Sequence, residues 1–339
     1  MATMKEIAEL SGVSRGTVDR VLNHRGIVNA ETERKVLEIA KLLDYQPNKA
    51  GIALAAQKKK LKIGVLLFGA ENPFFDDVMD GLRQKLEELS IYGCTVIERR
   101  ISFDLQSQLQ TIDELLKEEI HGLILSPYND PAIQEKIDLL WENGIPCITI
   151  NTDMPDSKRI AYVGSDYHKC GQTAAGLLHL FSGDYASVGI VTGSHNVLCH
   201  EERISGFTSH LHTKHPNIRI VDVVENGDDD YKSYEVVSDL LDRHPDLSAL
   251  YFTAAGVYGG CRAVLNASLQ RPLKIITFDA VLSTCEMIRN GVISATICQQ
   301  PDEQGARSLS LLVDYLLTGK LPENRCIYMD LSIKIAENL

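Results

Sequence analysis

The chain has 339 residues, more than one compact hydrophobic core usually contains, so two or three domains are expected. A hydrophobic fraction of 44% and a charged fraction of 24% are ordinary for a globular protein and argue against long disorder. The sequence has no run of roughly 18 apolar residues and no apolar N-terminal run, so we expect a cytoplasmic protein without a membrane span or signal peptide.

The net charge of −12 is unevenly distributed along the chain. Residues 1–60 contain 11 Lys or Arg and 7 Asp or Glu, a balance of +4, which leaves −16 for the remainder. A basic N-terminal segment on an acidic body is typical of a protein whose N-terminus alone contacts phosphate, although chance asymmetry is an equal alternative. The eight Cys form no C-x-x-C pair, so they indicate reduced thiols that pack as small apolar groups.

The first 45 residues have the pattern of three short helices. Met4 to Leu10 is amphipathic, Ser14 can cap a second helix that reaches Asn23, and apolar spacing predicts a third helix from Ala30 to Leu43. Two short helices joined by a turn with Gly12 are typical of a helix-turn-helix, which presents its second helix to the DNA major groove.

Polar residues at the start of the second helix fit DNA chemistry. The outward positions Arg15, Gly16 and Arg20 are placed to face bases, and an Arg can donate two hydrogen bonds to guanine. The short polar side chains nearby suit phosphate oxygens. They are Ser14, Thr17 and Asn23. Because one recognition helix reads only a few base pairs, we expect a homodimer on a near-palindromic double-stranded operator.

A joint separates this segment from the rest of the chain. Pro47 ends the third helix, Asn48 can cap a further short helix that ends near Ala56, and three consecutive Lys follow at 58–60. We therefore predict a helix-turn-helix domain at 1–47, a hinge helix and linker at 48–60, and a two-lobed effector-binding and dimerisation domain at 61–339.

Buried strands alternate with amphipathic helices from residue 61 onward, which predicts an α/β body with doubly wound parallel sheets. About 275 residues are long for one such sheet, so two similar lobes are expected. Asn72, Phe74 and Phe75 directly follow the first apolar run, where ligands of these sheets bind. Two aromatic rings and an amide could hold a sugar, whereas the alternative makes both rings helix-start core residues.

The segment 4–56 resembles the head of the lactose-repressor (LacI) family. The resemblance is carried by I-A-E-L-S-G-V-S-R-G-T-V-D-R-V-L-N, V-N-A-E-T-E-R-K-V and D-Y-Q-P-N. It implies phosphate contacts by the N-terminal Thr3 together with the short polar side chains named above, and base contacts by the two Arg and Gly16. It also implies that Leu54 enters the minor groove as a wedge. Asp19 replaces the usual Ser and is expected to pair with a neighbouring Arg, and Gly51-Ile52 replaces the usual Ala-Arg of the hinge.

The body, at about 61–335, resembles periplasmic sugar-binding proteins of the ribose-binding type. N-P-F-F, I-P-C-I-T-I-N, E-E-R-I-S-G-F, I-T-F-D and A-T-I-C-Q-Q-P-D-E-Q-G carry this resemblance. It implies eight effector-binding residues. They are Asn72, Phe74, Phe75, Asn151, Thr152, Arg203, Asp279 and Gln299.

Two departures from the sugar-binding pattern put the identity of the effector in question. Asn151-Thr152 stands where an Asp-Arg pair is usual, and Thr253-Ala254-Ala255 stands where an Asn-Asp pair is usual. Four other polar residues are candidates to compensate. They are Asp153, Tyr167, His195 and Asp228. We expect an uncharged or weakly charged sugar or polyol, because one wall has lost its matching Arg.

Other chemistries find little support in the sequence. One helix face does not contain all of His210, His212 and His215, so surface histidines are favoured over a metal site. The acidic run at 228–230 is more typical of a solvated loop than of a calcium site. No catalytic motif and no cofactor motif appears, so we expect a regulator, most commonly a repressor, that is not an enzyme. The alternative is a sugar-binding protein or sugar-active enzyme of similar fold without a regulatory role.

Overall fold

The computed structural model describes residues 2–22, 27–45, 53, 56–68, 72–194 and 197–339. Asn23, Leu54 and His195, which the sequence singled out, and most of the expected hinge helix lie outside these residues. None of the described helices is long and apolar enough to cross a membrane.

The head is a bundle of three helices. They are α1 (Met4–Ser11), α2 (Arg15–Leu22) and α3 (Ala30–Leu42). Ile7, Val18, Val21 and Val36 are buried between them, because these positions recur on one face of each helix. Gly12 adopts the left-handed backbone conformation with φ +71°, which allows the tight turn from α1 into α2.

The body has two lobes, each built on a six-stranded sheet. The first sheet contains β1 (Lys62–Phe68), β2 (Thr95–Ile101), β3 (Gly122–Leu125), β4 (Cys147–Ile150), β5 (Ala161–Gly164) and β11 (Cys326–Tyr328). Its order is β11-β5-β4-β3-β1-β2, and every neighbouring pair is parallel. The helices of lobe 1 are α4 (Phe74–Glu88), α5 (Leu105–Lys117), α6 (Pro131–Glu142) and α12 (Pro301–Thr318).

Lobe 2 repeats this plan. Its strands are β6 (Ala186–Thr192), β7 (Ile218–Glu225), β8 (Ala249–Phe252), β9 (Lys274–Phe278), β10 (Ala295–Cys298) and β12 (Ser332–Lys334). Their order is β12-β10-β9-β8-β6-β7. The helices are α7 (Tyr167–Ser182), α8 (Leu198–Lys214), α9 (Asp230–Arg243), α10 (Val257–Asn266) and α11 (Leu282–Arg289). The last strand, β12, pairs antiparallel with β10, a departure from the purely parallel sheets that we expected.

The chain crosses between the lobes three times. These crossings run from β5 to α7, from β10 to α12, and from β11 to β12. Because β5 and β11 lie at one edge of the first sheet and β10 and β12 at one edge of the second, all three crossings lie on the same side of the body. The carboxyl ends of the parallel strands, where such folds bind ligands, therefore line a cleft between the lobes. The three crossings lie at one end of this cleft.

Glycines allow one helix pair in each lobe to approach closely. A Cβ at Gly305 of α12 would lie 1.9 Å from the carbonyl oxygen of Val78 in α4. In lobe 2, a Cβ at Gly206 of α8 would lie 2.0 Å from the carbonyl oxygen of His168 in α7. Both helix pairs begin near the cleft, so these contacts hold the helix starts that line it.

Candidate DNA-binding head and effector cleft

Two side chains that were expected to contact phosphate also begin the head helices. The Thr3 hydroxyl accepts from the backbone N–H of Glu6 at 3.3 Å, and Glu6 in return accepts from the N–H of Thr3 at 2.7 Å. Ser14 accepts from the N–H of Thr17 at 3.1 Å and so begins α2. These bonds fix where the recognition helix starts, and they leave Ser14 exposed at that end.

The exposed face of α2 carries the proposed base-reading residues. Arg15, Gly16 and Arg20 are exposed, while Val18 and Val21 on the opposite face are buried. Arg20 donates to the carbonyl of Gly16 and to the Thr17 hydroxyl, each at 3.3 Å, so the described hydrogen bonds hold its guanidinium along the helix. Both Arg are therefore exposed on one face of α2, and their contact with bases stays a prediction.

Asp19, which departs from the LacI pattern, lies close to the side chain of Tyr45 beyond α3. Burial raises the pKa of the Tyr45 hydroxyl, and the negative charge of Asp19 raises it further. The Asp19 carboxylate therefore lies near the Tyr45 hydroxyl, and its pairing with Arg15 or Arg20 stays a prediction.

The lobe 1 wall of the cleft begins at the start of α4. The Asn72 side chain accepts from the N–H of Phe74, the first residue of α4, at 3.0 Å, so it holds the turn that leads into the helix. Phe74 and Phe75 are only 4% and 5% exposed, make an edge-to-face pair at 5.2 Å, and belong to the lobe 1 core. Core packing thus accounts for most of the surface of both rings, and their contact with an effector stays a prediction.

Asn151 and Thr152 follow β4 at the carboxyl end of the first sheet. Asn151 has φ +64°, a left-handed conformation that Asn tolerates better than most residues. Its carbonyl accepts hydrogen bonds from the hydroxyls of Tyr162 and Tyr167, and its side chain donates to Tyr167 at 3.2 Å. Because Tyr167 begins α7, these bonds join lobe 1 to lobe 2. The Thr152 hydroxyl is buried and has no hydrogen-bond partner within the described part of the chain.

Arg203 of α8 lies on the lobe 2 side and is 3% exposed. Its guanidinium carbon lies 3.8 Å from the centre of the Phe278 ring and 4.7 Å from that of Tyr167, so two aromatic faces hold its plane. One terminal nitrogen donates to the carbonyl of Thr253. The Nε atom is buried and has no partner among the residues that the structure describes.

Asp279 and Gln299 form the second polar group of the cleft. The Gln299 amide nitrogen donates to both carboxylate oxygens of Asp279, each at 2.9 Å. Asp279 follows β9 with φ +64°, and Gln299 follows β10 and is 1% exposed. Burial raises the pKa of Asp279 to about 6, and the positive charge of Arg203 opposes part of that rise. Among the side chains that the structure describes, Gln299 is the one that donates to this carboxylate.

Two of the polar residues proposed as substitutes have other partners. Both carboxylate oxygens of Asp153 accept from Arg159, at 2.5 and 2.6 Å, in a pair that is nearly buried. Asp228 accepts from the backbone N–H of Ala255 at 2.9 Å. Tyr167, by contrast, contacts both Asn151 and Arg203, as expected of a cleft residue.

Sequence reasoning missed the polar network behind the lobe 2 wall. Asn226 directly follows β7, is fully buried, and donates to the carbonyl of Ala255 at 2.8 Å. The Thr253 hydroxyl donates to Thr192 at 2.8 Å. These bonds connect the loops after β6, β7 and β8. The signal that could have found them is the same one used for Asn72, a polar residue at the carboxyl end of an apolar strand.

The three histidines weighed for a metal lie at the C-terminal end of α8, away from the cleft, and next to the end of α7. His215 stacks on His179 with ring centres 3.9 Å apart and is 5.6 Å from the ring of His210. Across the described ranges, no three His, Cys, Asp or Glu side chains are arranged to hold a metal ion.

Comparison with known families accounts for both parts of the chain. The family described as "Bacterial regulatory proteins, lacI family" matches residues 3–48, and the family described as "Periplasmic binding protein domain" matches residues 63–321. The head of the chain is a lacI-family regulatory domain, and the body, which is most of the chain, belongs to the periplasmic binding protein domain family. The expectation of a DNA-binding transcription regulator with a two-lobed body is thereby confirmed.

Some individual relatives match nearly the whole chain, and others match about four fifths of it. Catabolite control protein A of Staphylococcus aureus (strain MRSA252) is 26% identical over 326 residues, which cover 95% of this chain and 94% of that protein. Ribose import binding protein RbsB of Bacillus subtilis (strain 168) is 26% identical over 266 residues, 78% of this chain and 85% of that protein. The crystal structure of GanP, a glucose-galactose binding protein from Geobacillus stearothermophilus, covers 83% of this chain and 99% of its own, with 25% identity and a TM-score of 0.75.

Proposed function

We propose that this lacI-family regulator binds an uncharged or weakly charged polyhydroxylated molecule, a sugar or polyol, between its two lobes, and that this molecule controls binding of the head to an operator. The observation that carries the proposal is a connected set of polar groups across the cleft. Asn151 bonds to Tyr167, Tyr167 lies against Arg203, and Arg203 acts electrostatically on Asp279, which is bonded to Gln299.

The unused polar atoms of this set match the chemistry of hydroxyl groups. Arg203 Nε is a donor, Gln299 Oε1 is an acceptor, and the Thr152 hydroxyl can be either, and none of the three has a partner in the described residues. Buried polar atoms without partners cost free energy, so a ligand that bonds to them gains affinity. A molecule with several neighbouring hydroxyls can donate and accept at once, and the sugar-binding relatives support that choice.

The charges of the cleft favour a neutral effector over an anionic one. Arg203 already has the Thr253 carbonyl as a partner, and its charge also acts on Asp279. Asp77, in the first turn of α4, is close enough to raise the pKa of Asp279. A sugar phosphate would bring a further negative charge next to these carboxylates, and Thr152 stands where the resemblance to sugar-binding proteins implies an Arg.

At the level of DNA, we propose a homodimer that acts as a repressor in the cytoplasm, where the operator is accessible. Two heads related by twofold symmetry would place two copies of α2 in successive major grooves of a near-palindrome. The proposal gives the chain no catalytic role and no cofactor.

A thermal-shift screen of the intact protein against free sugars, polyols and their phosphates tests the effector assignment. At least one neutral compound is expected to raise the melting temperature by mass action, and Arg203→Met should abolish that rise. Lys158→Met is a suitable control, because Lys158 is an exposed cation that pairs with Glu142 away from the cleft. A hit that stabilises the Arg203 variant as strongly as the wild type would reject the site.

A further inference from the structure

Phe103 lies two residues beyond β2, at the edge of the lobe 1 sheet that is farthest from the three crossings. Strands β1, β3 and β4 separate β2 from β5, the strand that leads into the first crossing. Neighbouring strands are about 4.8 Å apart, so β2 and β5 are about 19 Å apart. Phe103 is therefore at the mouth of the cleft, where opening of the lobes produces the largest displacement.

The ring of Phe103 has a fixed place in lobe 1. Its centre lies 4.7 Å from the ring of Phe68 at the end of β1 and 4.7 Å from the ring of Tyr128 after β3. Tyr128 is itself held by Gln108, a fully buried residue that accepts from its backbone N–H at 2.8 Å and donates to the carbonyl of Ser126 at 2.9 Å. Three aromatic side chains therefore form a rigid group at the ends of β1, β2 and β3.

Phe103 also packs against lobe 2. It contacts the buried cluster whose members, apart from Tyr162, all lie between residues 167 and 297. Tyr162 is on β5, about four strand spacings from β2, so the contact is made with residues of lobe 2. A ring that lobe 1 holds in place thus touches the opposite lobe across the mouth.

We propose that Phe103 closes the mouth of the effector cleft. The ring must separate from lobe 2 before a molecule can enter or leave, and its apolar contact shifts the equilibrium towards closed lobes even without effector. This proposal rests on the proposed function, because it assumes that the cleft binds an effector. The proposed closure depends only on this apolar contact, so the polar groups of the cleft need not change when the lobes open.

Hydrogen exchange of the intact, effector-free protein tests this role. Phe103→Ala should speed exchange of the cleft segments 126–130 and 253–256 by about fivefold or more, because the closed state loses the burial of an aromatic ring. Exchange within β6, at 186–192, should not change. Phe181→Ala is the matched control, since Phe181 packs against the same lobe 2 cluster from α7 within lobe 2.

Each outcome is decisive. The proposal is overturned if the Phe103→Ala variant exchanges like the wild type in the cleft segments, or if it exchanges faster throughout the body. If that variant does not fold, Phe103→Leu takes its place. A smaller acceleration of exchange, confined to the cleft segments, is then expected. Exchange like that of the wild type, or faster exchange throughout the body, would overturn the proposal. Because no effector is added, a negative result here leaves the sugar screen as a separate test of the proposed function.

Discussion

Replacing Asp279 by Asn should make the effector-free protein more stable at neutral pH while removing its response to effector. Burial raises the pKa of this carboxyl from 3.8 to about 6, even with Arg203 nearby. The folded chain therefore holds a charge that it disfavours. Asn resembles the protonated side chain and still offers an oxygen to the amide of Gln299.

The size of the gain follows from the two pKa values. A shift of about two units corresponds to about 3 kcal/mol, since each unit is about 1.4 kcal/mol. Below pH 3.8 the folded and the unfolded wild type both hold the proton, so Asp279 then costs nothing. The cost appears as pH rises from 3.8 and is fully present above about pH 6. Allowing about 1 kcal/mol for imperfect bonding of the Asn amide, we expect the variant to be about 1–3 kcal/mol more stable at pH 7.5.

Thermal melts of both proteins at pH 4.5, 6 and 7.5 would measure this difference. The gap between variant and wild type should widen with pH, and the sugar-screen hit should no longer shift the melting temperature of the variant. A variant that is clearly less stable than the wild type at pH 7.5 would refute the reasoning. Asp279 would then be a structural partner of Arg203, and its carboxylate would not be held for a ligand.

Three further predictions concern the head, the hinge and two helix glycines of the body. Arg20→Ala should weaken binding to the true operator by about 1–3 kcal/mol and relax base preference in a competition gel-shift assay, and unchanged affinity would exclude Arg20 from base contacts. Leu54→Ala should reduce DNA bending in a circular-permutation gel assay, whereas equal bending would remove Leu54 from the wedge role. Gly305→Ala should destabilise the protein by about 1–3 kcal/mol or more in urea melts, because the added Cβ collides with the Val78 carbonyl 1.9 Å away. Gly176→Ala in α7, where a Cβ meets nothing within 4 Å, should instead stabilise by about 0.5–1 kcal/mol, and equal effects of the two would contradict the close-packing argument.

The sequence predicted the buried strands of the body better than the edge strands. β1 (K-I-G-V-L-L-F) and β9 (K-I-I-T-F) are continuous apolar runs, as expected of parallel strands that are buried on both faces. β2 reads T-V-I-E-R-R-I, and its charges are tolerated because it lies at a sheet edge, which a pattern of continuous apolar residues does not reveal. The antiparallel pairing of β12 depends on where the third crossing returns the chain, and local pattern does not determine that.

The candidate site shows a similar division. The positions of Asn72, Asp279 and Gln299 at strand ends follow from the alternation of strands and helices, so they were accessible to sequence reasoning. The role of Phe103 was not, because it depends on the distance between sheet edges and on how far the lobes close. The ion pair of Asp153 with Arg159 likewise depends on how the segment between β4 and β5 folds, which the sequence pattern does not reveal.

Salt-dependent binding to DNA by the intact chain tests the central claim most directly. Duplexes selected from a randomised library would be titrated with the protein at several salt concentrations, and the titration repeated after deletion of residues 1–60. The account predicts tight, selective binding whose affinity falls steeply with salt, and its loss in the truncated body, which still melts cooperatively. Selective duplex binding that survives the deletion, or an intact chain that selects no duplex, would contradict it.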